Sequence, residues 1–208
     1  MKRMVAVLAV VVMLVGMVGM AVAEEKKFDW TIYEEAPGYE YDKFEKTWRV
    51  LAGYVKKYAE STLVFGITVV GNKENVRTPI TLYGWWRDKD NKEGLQQITE
   101  VDILIGDNLF SCKTLLGDKE QWYVPLDSES AKEFMAELIG AEEVSIRYKY
   151  KIGSISRDMK ANEILDMKEL CKFLIDNNPW DFLLDGNGYD GKKYDQIIKS
   201  KWPMEISE

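Results

Sequence analysis

Histidine is absent from this chain of 208 residues. Its absence excludes Ser-His-Asp and Cys-His catalysis, histidine-ligated zinc and a histidine pH switch. The chain has only two cysteines, Cys112 and Cys171, which are too few for a cysteine-rich structural metal site. We also find no nucleophile motif and no cofactor motif. The sequence therefore predicts no catalytic residue, no metal ligand and no cofactor.

Positive charge is scarce as well. The chain has 28 Lys and Arg against 35 Asp and Glu, and its net charge is −7. An acidic chain is poorly suited to nucleic acid, because binding phosphates requires neutralising cations. An anionic membrane surface is disfavoured on the same grounds. We expect a protein or an envelope component as partner, with a glycan among the candidates, and no nucleic acid.

The N-terminal 23 residues combine basic, apolar and small residues in the order of a secretory signal peptide. Lys2 and Arg3 precede an uncharged apolar run, and Ala21 and Ala23 place small residues at positions −3 and −1 of a cleavage site. The alternative is an uncleaved anchor, since ~20 apolar residues can span a bilayer. We expect cleavage, a periplasmic or extracellular location, and no stable membrane insertion after signal removal.

The two cysteines leave two alternatives open. Disulfides persist in exported proteins, and a Cys112–Cys171 bond would close a loop of about 60 residues, worth ~4 kcal/mol in chain entropy. Unpaired cysteine is, however, among the most buried residue types. Both residues occupy core-facing positions in their predicted elements, so two buried free thiols are the other alternative.

Alternating apolar and polar side chains predict about seven or eight strands. These strands cover residues 47–55, 62–70, 80–87, 96–105, 109–115, 122–126, 144–152 and 157–161. Two short amphipathic helices are predicted, one around 128–139 and one that begins at Asp166 with a capping-box pattern. Strands that follow one another without intervening helices indicate a mainly β (α+β) fold. We expect an antiparallel β-sandwich or a small barrel with two helices.

The composition also divides the chain into segments. Residues 1–23 are the predicted signal peptide and residues 24–46 a polar leader. Residues 47–178 are the predicted β-rich globular domain. Residues 179–208 form a C-terminal tail with a glycine-rich loop, 185–191, and a short helix, 192–201. The loop has oxygen ligands at alternate positions, but Tyr189 and Asp190 stand where an EF-type calcium loop needs Asp or Asn and then Gly. A surface turn is the prediction there.

The strand 144–152 has the clearest alternation. One side carries Val144, Ile146, Tyr148, Tyr150 and Ile152, which are predicted to face the core. The opposite side carries the cations Arg147, Lys149 and Lys151, most simply as a solvated row. The alternative for this row is a surface that attracts an acidic partner.

The strand 80–87 carries the candidate ligand-binding residues Tyr83, Trp85 and Arg87. They alternate on the face opposite the predicted core residue Trp86. Aromatic rings beside a cation form a surface on which a sugar or a peptide can stack. The alternative is that both faces of the sheet are covered and that Trp85 is simply packed, since aromatic residues are common in strands.

The layout of residues 102–174 resembles that of invasion-associated locus B proteins, a family of small exported β-sandwiches. The matching features are Asp107 in a short hairpin, Trp122, a helix containing 134–138, the alternating strand segment 144–147, and a final helix, 165–174. The chain lacks the family's usual cysteine pattern near the hairpin. The resemblance implies a periplasmic or secreted binding or structural role without a defined reaction.

These observations predict an exported, non-enzymatic binding or structural protein of the cell envelope, whose ligand the sequence does not name. The alternative is a carbohydrate-binding module or a glycan hydrolase based on carboxylates. A hydrolase would require two carboxyl groups ~5–9.5 Å apart in one cleft. The exposure of Tyr83 and Trp85 in the folded chain discriminates a binding face from a packed one.

Overall fold

Antiparallel strands make up most of the described chain. The computed structural model describes residues 29–57, 61–74, 76–88, 97–116, 121–151, 153–177 and 191–207. The predicted signal peptide and nearly all of the predicted glycine-rich loop lie outside these ranges. The strands are β1 (Tyr39–Asp42), β2 (Thr47–Lys57), β3 (Ser61–Asn72), β4 (Val76–Asp88), β5 (Ile98–Ile105), β6 (Asn108–Lys113), β7 (Leu115–Leu116), β8 (Trp122–Pro125), β9 (Glu143–Tyr150), β10 (Gly153–Lys160) and β11 (Glu205–Ser207).

Within the described ranges, three α-helices and two 3-10 helices accompany the strands. The α-helices are α1 (Ser128–Gly140), α2 (Leu165–Asp176) and α3 (Gly191–Lys201). The 3-10 helices are Trp30–Glu35 and Ala161–Glu163. None of the helices in the described ranges is both long enough and apolar enough to cross a membrane.

The strands form two antiparallel sheets. One has six strands in the order β1-β2-β3-β4-β8-β7, and the other has five in the order β10-β9-β5-β6-β11. Each order is linear, so the described strands build a sandwich and not a closed barrel. The predicted mainly β fold with short amphipathic helices is confirmed, and the sandwich is the alternative that the structure adopts.

Aromatic side chains join the two sheets through a common core. Trp122 of β8 stacks on Phe65 of β3 with ring centroids 6.3 Å apart, and it meets Tyr148 of β9 edge-on at 5.4 Å. The Tyr148 hydroxyl donates a hydrogen bond of 2.6 Å to the carbonyl oxygen of Val64 in the opposite sheet. Trp86 of β4 contacts Tyr150 of β9 at 4.9 Å. The inner faces of the two sheets therefore pack directly on each other.

The strand β9 presents the faces that its alternation predicts. Val144, Ile146 and Tyr148 are 0 % exposed, whereas Arg147 on the opposite face is exposed. Across the sheet, Ile146 pairs with Ile103 of β5, which is also 0 % exposed. Residue 152 lies outside the described ranges. The predicted inward register of this strand is confirmed for the three residues.

The helices cover parts of the core that the sheets leave open. Tyr33, in the first 3-10 helix, stacks on Trp48 of β2 at 4.5 Å and meets Phe173 of α2 at 5.9 Å. Phe134 of α1 packs edge-on against Phe110 of β6 at 5.4 Å. The helix α2 begins at Leu165, with Ile164 as N-cap and no side-chain capping bond. The predicted capping box at Asp166 is therefore wrong, because Asp166 already lies inside the first turn.

The folded unit extends further in both directions than the strand pattern indicates. Tyr33 and β1 lie in the predicted polar leader, yet Tyr33 is only 1 % exposed and β1 pairs with β2. At the other end, β11 pairs with β6. These strands have four and three residues, so their alternation is too short to predict a strand, and they form because a longer neighbour offers them an open edge. The structure consequently has more strands than the sequence predicts.

Cys112 and Cys171 are both buried free thiols. Burial raises the pKa of each to about 12, so both are protonated at neutral pH. The disulfide alternative does not describe the structure. Cys112 lies on β6 and Cys171 on α2, where each fills a core position as a small apolar side chain.

Candidate functional site

The three candidate residues lie together on the outer face of the six-stranded sheet, the face turned away from the five-stranded sheet. Strand alternation points Leu82 and Trp86 into the core and Tyr83, Trp85 and Arg87 outward. Tyr83 and Trp85 are partly exposed and Arg87 is exposed. Val55, which lies on the same face, is 57 % exposed. Val64, which lies between Val55 and Trp85 in the cross-strand row, is 2 % exposed, so the face is open at its rim and covered at Val64.

A third aromatic residue adjoins the two that the sequence singles out. Tyr123 of β8 is the direct cross-strand partner of Tyr83, and it is also partly exposed. Its hydroxyl donates a hydrogen bond of 2.6 Å to Oε1 of Gln121. Tyr83, Trp85 and Tyr123 are here called the aromatic face.

Glycine residues form the floor on which Tyr83 rests. Gly66 of β3 and Gly53 of β2 continue the cross-strand row that begins at Tyr123 and Tyr83. A Cβ on Gly66 would lie 2.5 Å from Cε1 of Tyr83, and a Cβ on Gly53 would lie 2.8 Å from its hydroxyl oxygen. The ring therefore lies flat across two neighbouring strands, in contact with bare backbone. This arrangement immobilises an aromatic platform parallel to the sheet.

The Tyr83 hydroxyl remains neutral at physiological pH. Burial raises its pKa above the ordinary 10.0, the charge of Arg49 opposes this rise, and Glu40 and Tyr123 add to it. A neutral phenol can both donate and accept a hydrogen bond. The platform thus offers an apolar surface with a polar group at its edge.

An exposed ion pair lies at the β1 edge of the same face. Glu40 of β1 and Arg49 of β2 are cross-strand partners, with side chains 53 % and 55 % exposed. Arg49 approaches Oε2 of Glu40 through Nε at 2.6 Å and through Nη2 at 2.5 Å. The pair borders a groove of about 630 Å³ that Phe44 and Val70 also line. Phe44, at the tip of the β1–β2 hairpin, is 98 % exposed.

Arg87 lies at the end of the outer face away from this ion pair. In the cross-strand row it is separated from Lys57 of β2 by Thr62 of β3. Both cations are exposed. The structure therefore places Arg87 two residues beyond Trp85 on β4, on the rim of the aromatic face.

The cations on β9 are not a free positive row. Asp102 of β5 is 3 % exposed and lies among Arg147, Lys149 and Ser111 on the outer face of the five-stranded sheet. Arg147 Nε is 2.7 Å and Lys149 Nζ is 3.0 Å from its Oδ2, and Ser111 donates to Oδ1 at 2.9 Å. Lys149 also pairs with Glu100. Of the solvated row expected from the sequence, Arg147 and Lys149 thus belong to an ion-pair network within the sheet, whereas Lys151 is exposed just after β9.

The network makes the stability of the fold depend on pH. Burial raises the pKa of Asp102, but hydrogen bonds from Arg147, Lys149 and Ser111 outweigh it and hold the pKa below 3.8. A carboxyl whose pKa is lowered by folding adds stability above its unfolded pKa, and that stability is lost as pH falls through the folded pKa. We expect Asp102→Asn to cost about 1–3 kcal/mol at pH 7 and almost nothing at the acid end.

Urea melts from neutral pH into acid measure this difference. Asp158→Asn is the matched control, because Asp158 is an exposed carboxylate on the same outer face that accepts a bond from Ser145. It should change the free energy of unfolding by under about 0.5 kcal/mol. Equal losses for the two variants, or an Asp102→Asn loss that persists in acid, would contradict the role given to the network.

The carboxylates that cluster at the N-terminus of α1 have a structural role. Asp127 caps this helix through the backbone N–H groups of Glu129 and Ser130 at 3.1 and 3.2 Å. Asp195 of α3 accepts from the backbone N–H of Ser128 at 3.0 Å and also from its hydroxyl. Their oxygens stabilise unpaired helix N–H groups and fasten α3 to α1. In the described ranges no group of three or more His, Cys, Asp or Glu residues could hold a metal ion.

Several parts of this surface could not be found by reading along the chain. Tyr123 adjoins Tyr83 only because β8 pairs with β4, and β5, β6 and β7 intervene in sequence. Glu40 belongs to a strand whose alternation covers only four residues, Tyr39–Asp42. Gly53 and Gly66 were the signal in the sequence that could have indicated this surface, since a glycine inside a strand often marks a place where another group closely approaches the backbone.

Neither a protein-family model, nor a curated protein, nor a solved structure matches this chain. The resemblance to invasion-associated locus B proteins consequently stays a prediction. The geometry of the aromatic face is the basis on which a function is proposed below.

Proposed function

We propose that this chain is an exported, non-enzymatic binding protein of the cell envelope and that its aromatic face binds a glycan. The observation that carries the proposal is the partly exposed aromatic face on the outer surface of the six-stranded sheet. Export follows from the N-terminal sequence. The envelope is the compartment in which an exported protein of this kind meets glycans.

A flat aromatic surface suits a sugar better than the other partners that we considered. The C–H faces of a pyranose ring stack on an aromatic plane, and the ring hydroxyls stay in contact with water and with polar neighbours. Tyr83 and Trp85 are two residues apart on one strand, ~6.6–6.8 Å along it, and Tyr123 is one strand away. A ligand with successive rings could therefore stack on more than one of them. Gly53 and Gly66 have no side chains that project from the sheet, so a glycan chain can pass over them.

Co-sedimentation with envelope glycan tests this function. The probe is insoluble envelope material of the source organism, stripped of protein by protease and detergent. Wild-type protein should sediment with it, and Trp85→Ala should weaken the apparent affinity at least about tenfold, as expected for a central aromatic contact. Thermal melting must show that the variant is folded under the assay conditions, because Trp85 is partly buried.

Trp202→Ala is the matched control. Trp202 is also partly exposed, but it follows α3 and lies off the aromatic face. Its replacement should leave sedimentation unchanged. Binding that survives Trp85→Ala, or that is lost equally with Trp202→Ala, would refute the proposed surface.

A further inference from the structure

We infer that the Glu40–Arg49 pair is the polar half of the glycan site and that it recognises neutral sugars through neighbouring hydroxyl groups. This inference rests on the proposed function, because it concerns the same outer face. It adds a ligand class and two binding residues that the sequence pattern does not indicate.

The geometry of the pair leaves hydrogen-bonding groups available to a ligand. Both contacts from Arg49, through Nε and Nη2, converge on Oε2 of Glu40. Oε1 of Glu40 and Nη1 of Arg49 have no partner within the described part of the chain, and about half of each side chain is exposed. An acceptor on Glu40 and a donor on Arg49 are therefore available to a ligand, on an ion pair that needs no ligand to form.

Two adjacent sugar hydroxyls match this arrangement. One hydroxyl can donate to Oε1 of Glu40 while its neighbour accepts from Nη1 of Arg49, and hydrogen bonds to charged groups are stronger than neutral ones. A single charged group would instead select a ligand of opposite charge. The pair has no net charge, and the chain as a whole carries −7, so both favour a neutral ligand over an acidic one.

The pair and the aromatic face belong to one continuous surface. From Tyr83 the path toward the pair crosses Gly66 and Gly53 and then Leu51, which is partly exposed on the same face of β2. The charges of Arg49 and Glu40 are both close enough to influence the pKa of Tyr83. A glycan whose ring stacks on Tyr83 can thus extend over the glycine floor to the groove beside Glu40 and Arg49.

Periodate provides a direct test, because it cleaves the carbon–carbon bond between vicinal hydroxyls. The probe is the protein-free envelope material, either untreated or oxidised with periodate and then reduced with borohydride. Oxidation should lower wild-type affinity at least about tenfold. Glu40→Gln and Arg49→Gln should each lower affinity for untreated material at least fivefold. Oxidised material, whose opened rings can neither stack nor present vicinal hydroxyls, should bind wild type and both variants about equally weakly.

Two controls separate binding from folding. Glu163→Gln breaks a comparable exposed ion pair, Lys56–Glu163, off the aromatic face, and it should leave affinity unchanged. The double variant Glu40→Arg with Arg49→Glu retains an ion pair but exchanges the donor and acceptor positions. Its thermal melting should match that of wild type, whereas its affinity for the glycan should stay well below that of wild type. Recovery of full affinity in this double variant would mean that the pair acts only through stability and would overturn the inference.

Other outcomes are equally decisive. If Trp85→Ala abolishes binding while Glu40→Gln and Arg49→Gln bind like wild type, the proposed function stands and this inference fails. If binding survives periodate, the proposed recognition of vicinal hydroxyls is wrong. If binding falls steeply as salt rises to about 1 M, where the Debye length is ~3 Å, the proposed neutral class of ligand is wrong. If wild type does not sediment at all, the proposed function and this inference fail together.

Discussion

Trp122→Ala should lower the free energy of unfolding by ~3–5 kcal/mol. Trp122 is 0 % exposed, stacks on Phe65, contacts Tyr148 across the sandwich and lies over Gly84. Its removal would leave a cavity where the two sheets meet. Its indole N–H has no acceptor within the described ranges, so the loss is one of packing rather than of a hydrogen bond.

Tyr123→Ala, at the neighbouring position of β8, is the control for this prediction. Tyr123 points to the outer face and is partly exposed, so its removal should cost under about 1.5 kcal/mol while weakening glycan binding. Urea melts of both variants decide the matter. A larger stability loss for Tyr123→Ala would mean that the faces of β8 are reversed.

Ile146→Ala should cost ~2–5 kcal/mol, because Ile146 is fully buried beside Ile103 in the centre of the five-stranded sheet. From the sequence alone, Lys149→Ala on the opposite face should change stability by under about 0.5 kcal/mol. The structure raises this expectation to as much as about 1 kcal/mol, since Lys149 pairs with Glu100 and Asp102. Urea melts should still rank Ile146→Ala well above Lys149→Ala. The reverse order would contradict the register of β9.

The long strands could be predicted because each repeats one chemical pattern over many residues. In β9 the alternation fixes both the strand and its inward face. The hairpin between β5 and β6 could also be predicted, since Gly106 adopts a φ of +59° that other residues rarely accept. The short strands β1 and β11 could not, because pairing with a longer neighbour forms them and nothing local encodes that pairing.

Only part of the candidate site could be predicted from the sequence, for the same reason. Tyr83, Trp85 and Arg87 share one strand, so alternation alone assigns them to one face. Tyr123, Glu40 and Arg49 join them through pairings between strands, which depend on the topology of the whole sheet. The charge network shows the same limit. Arg147 and Lys149 alternate as a solvated row would, and only the position of β5 beside β9 reveals their acidic partners.

Hydroxyl-radical footprinting with bound envelope glycan tests the central claim most directly, because it reports which side chains a ligand covers. We predict that the glycan protects Tyr83, Trp85 and Tyr123 from oxidation. Two references off the aromatic face, the partly exposed Trp202 and Leu165, which is 54 % exposed, should stay as reactive as in the free protein. Protection of the references without protection of the aromatic face would contradict the account and place the binding surface elsewhere.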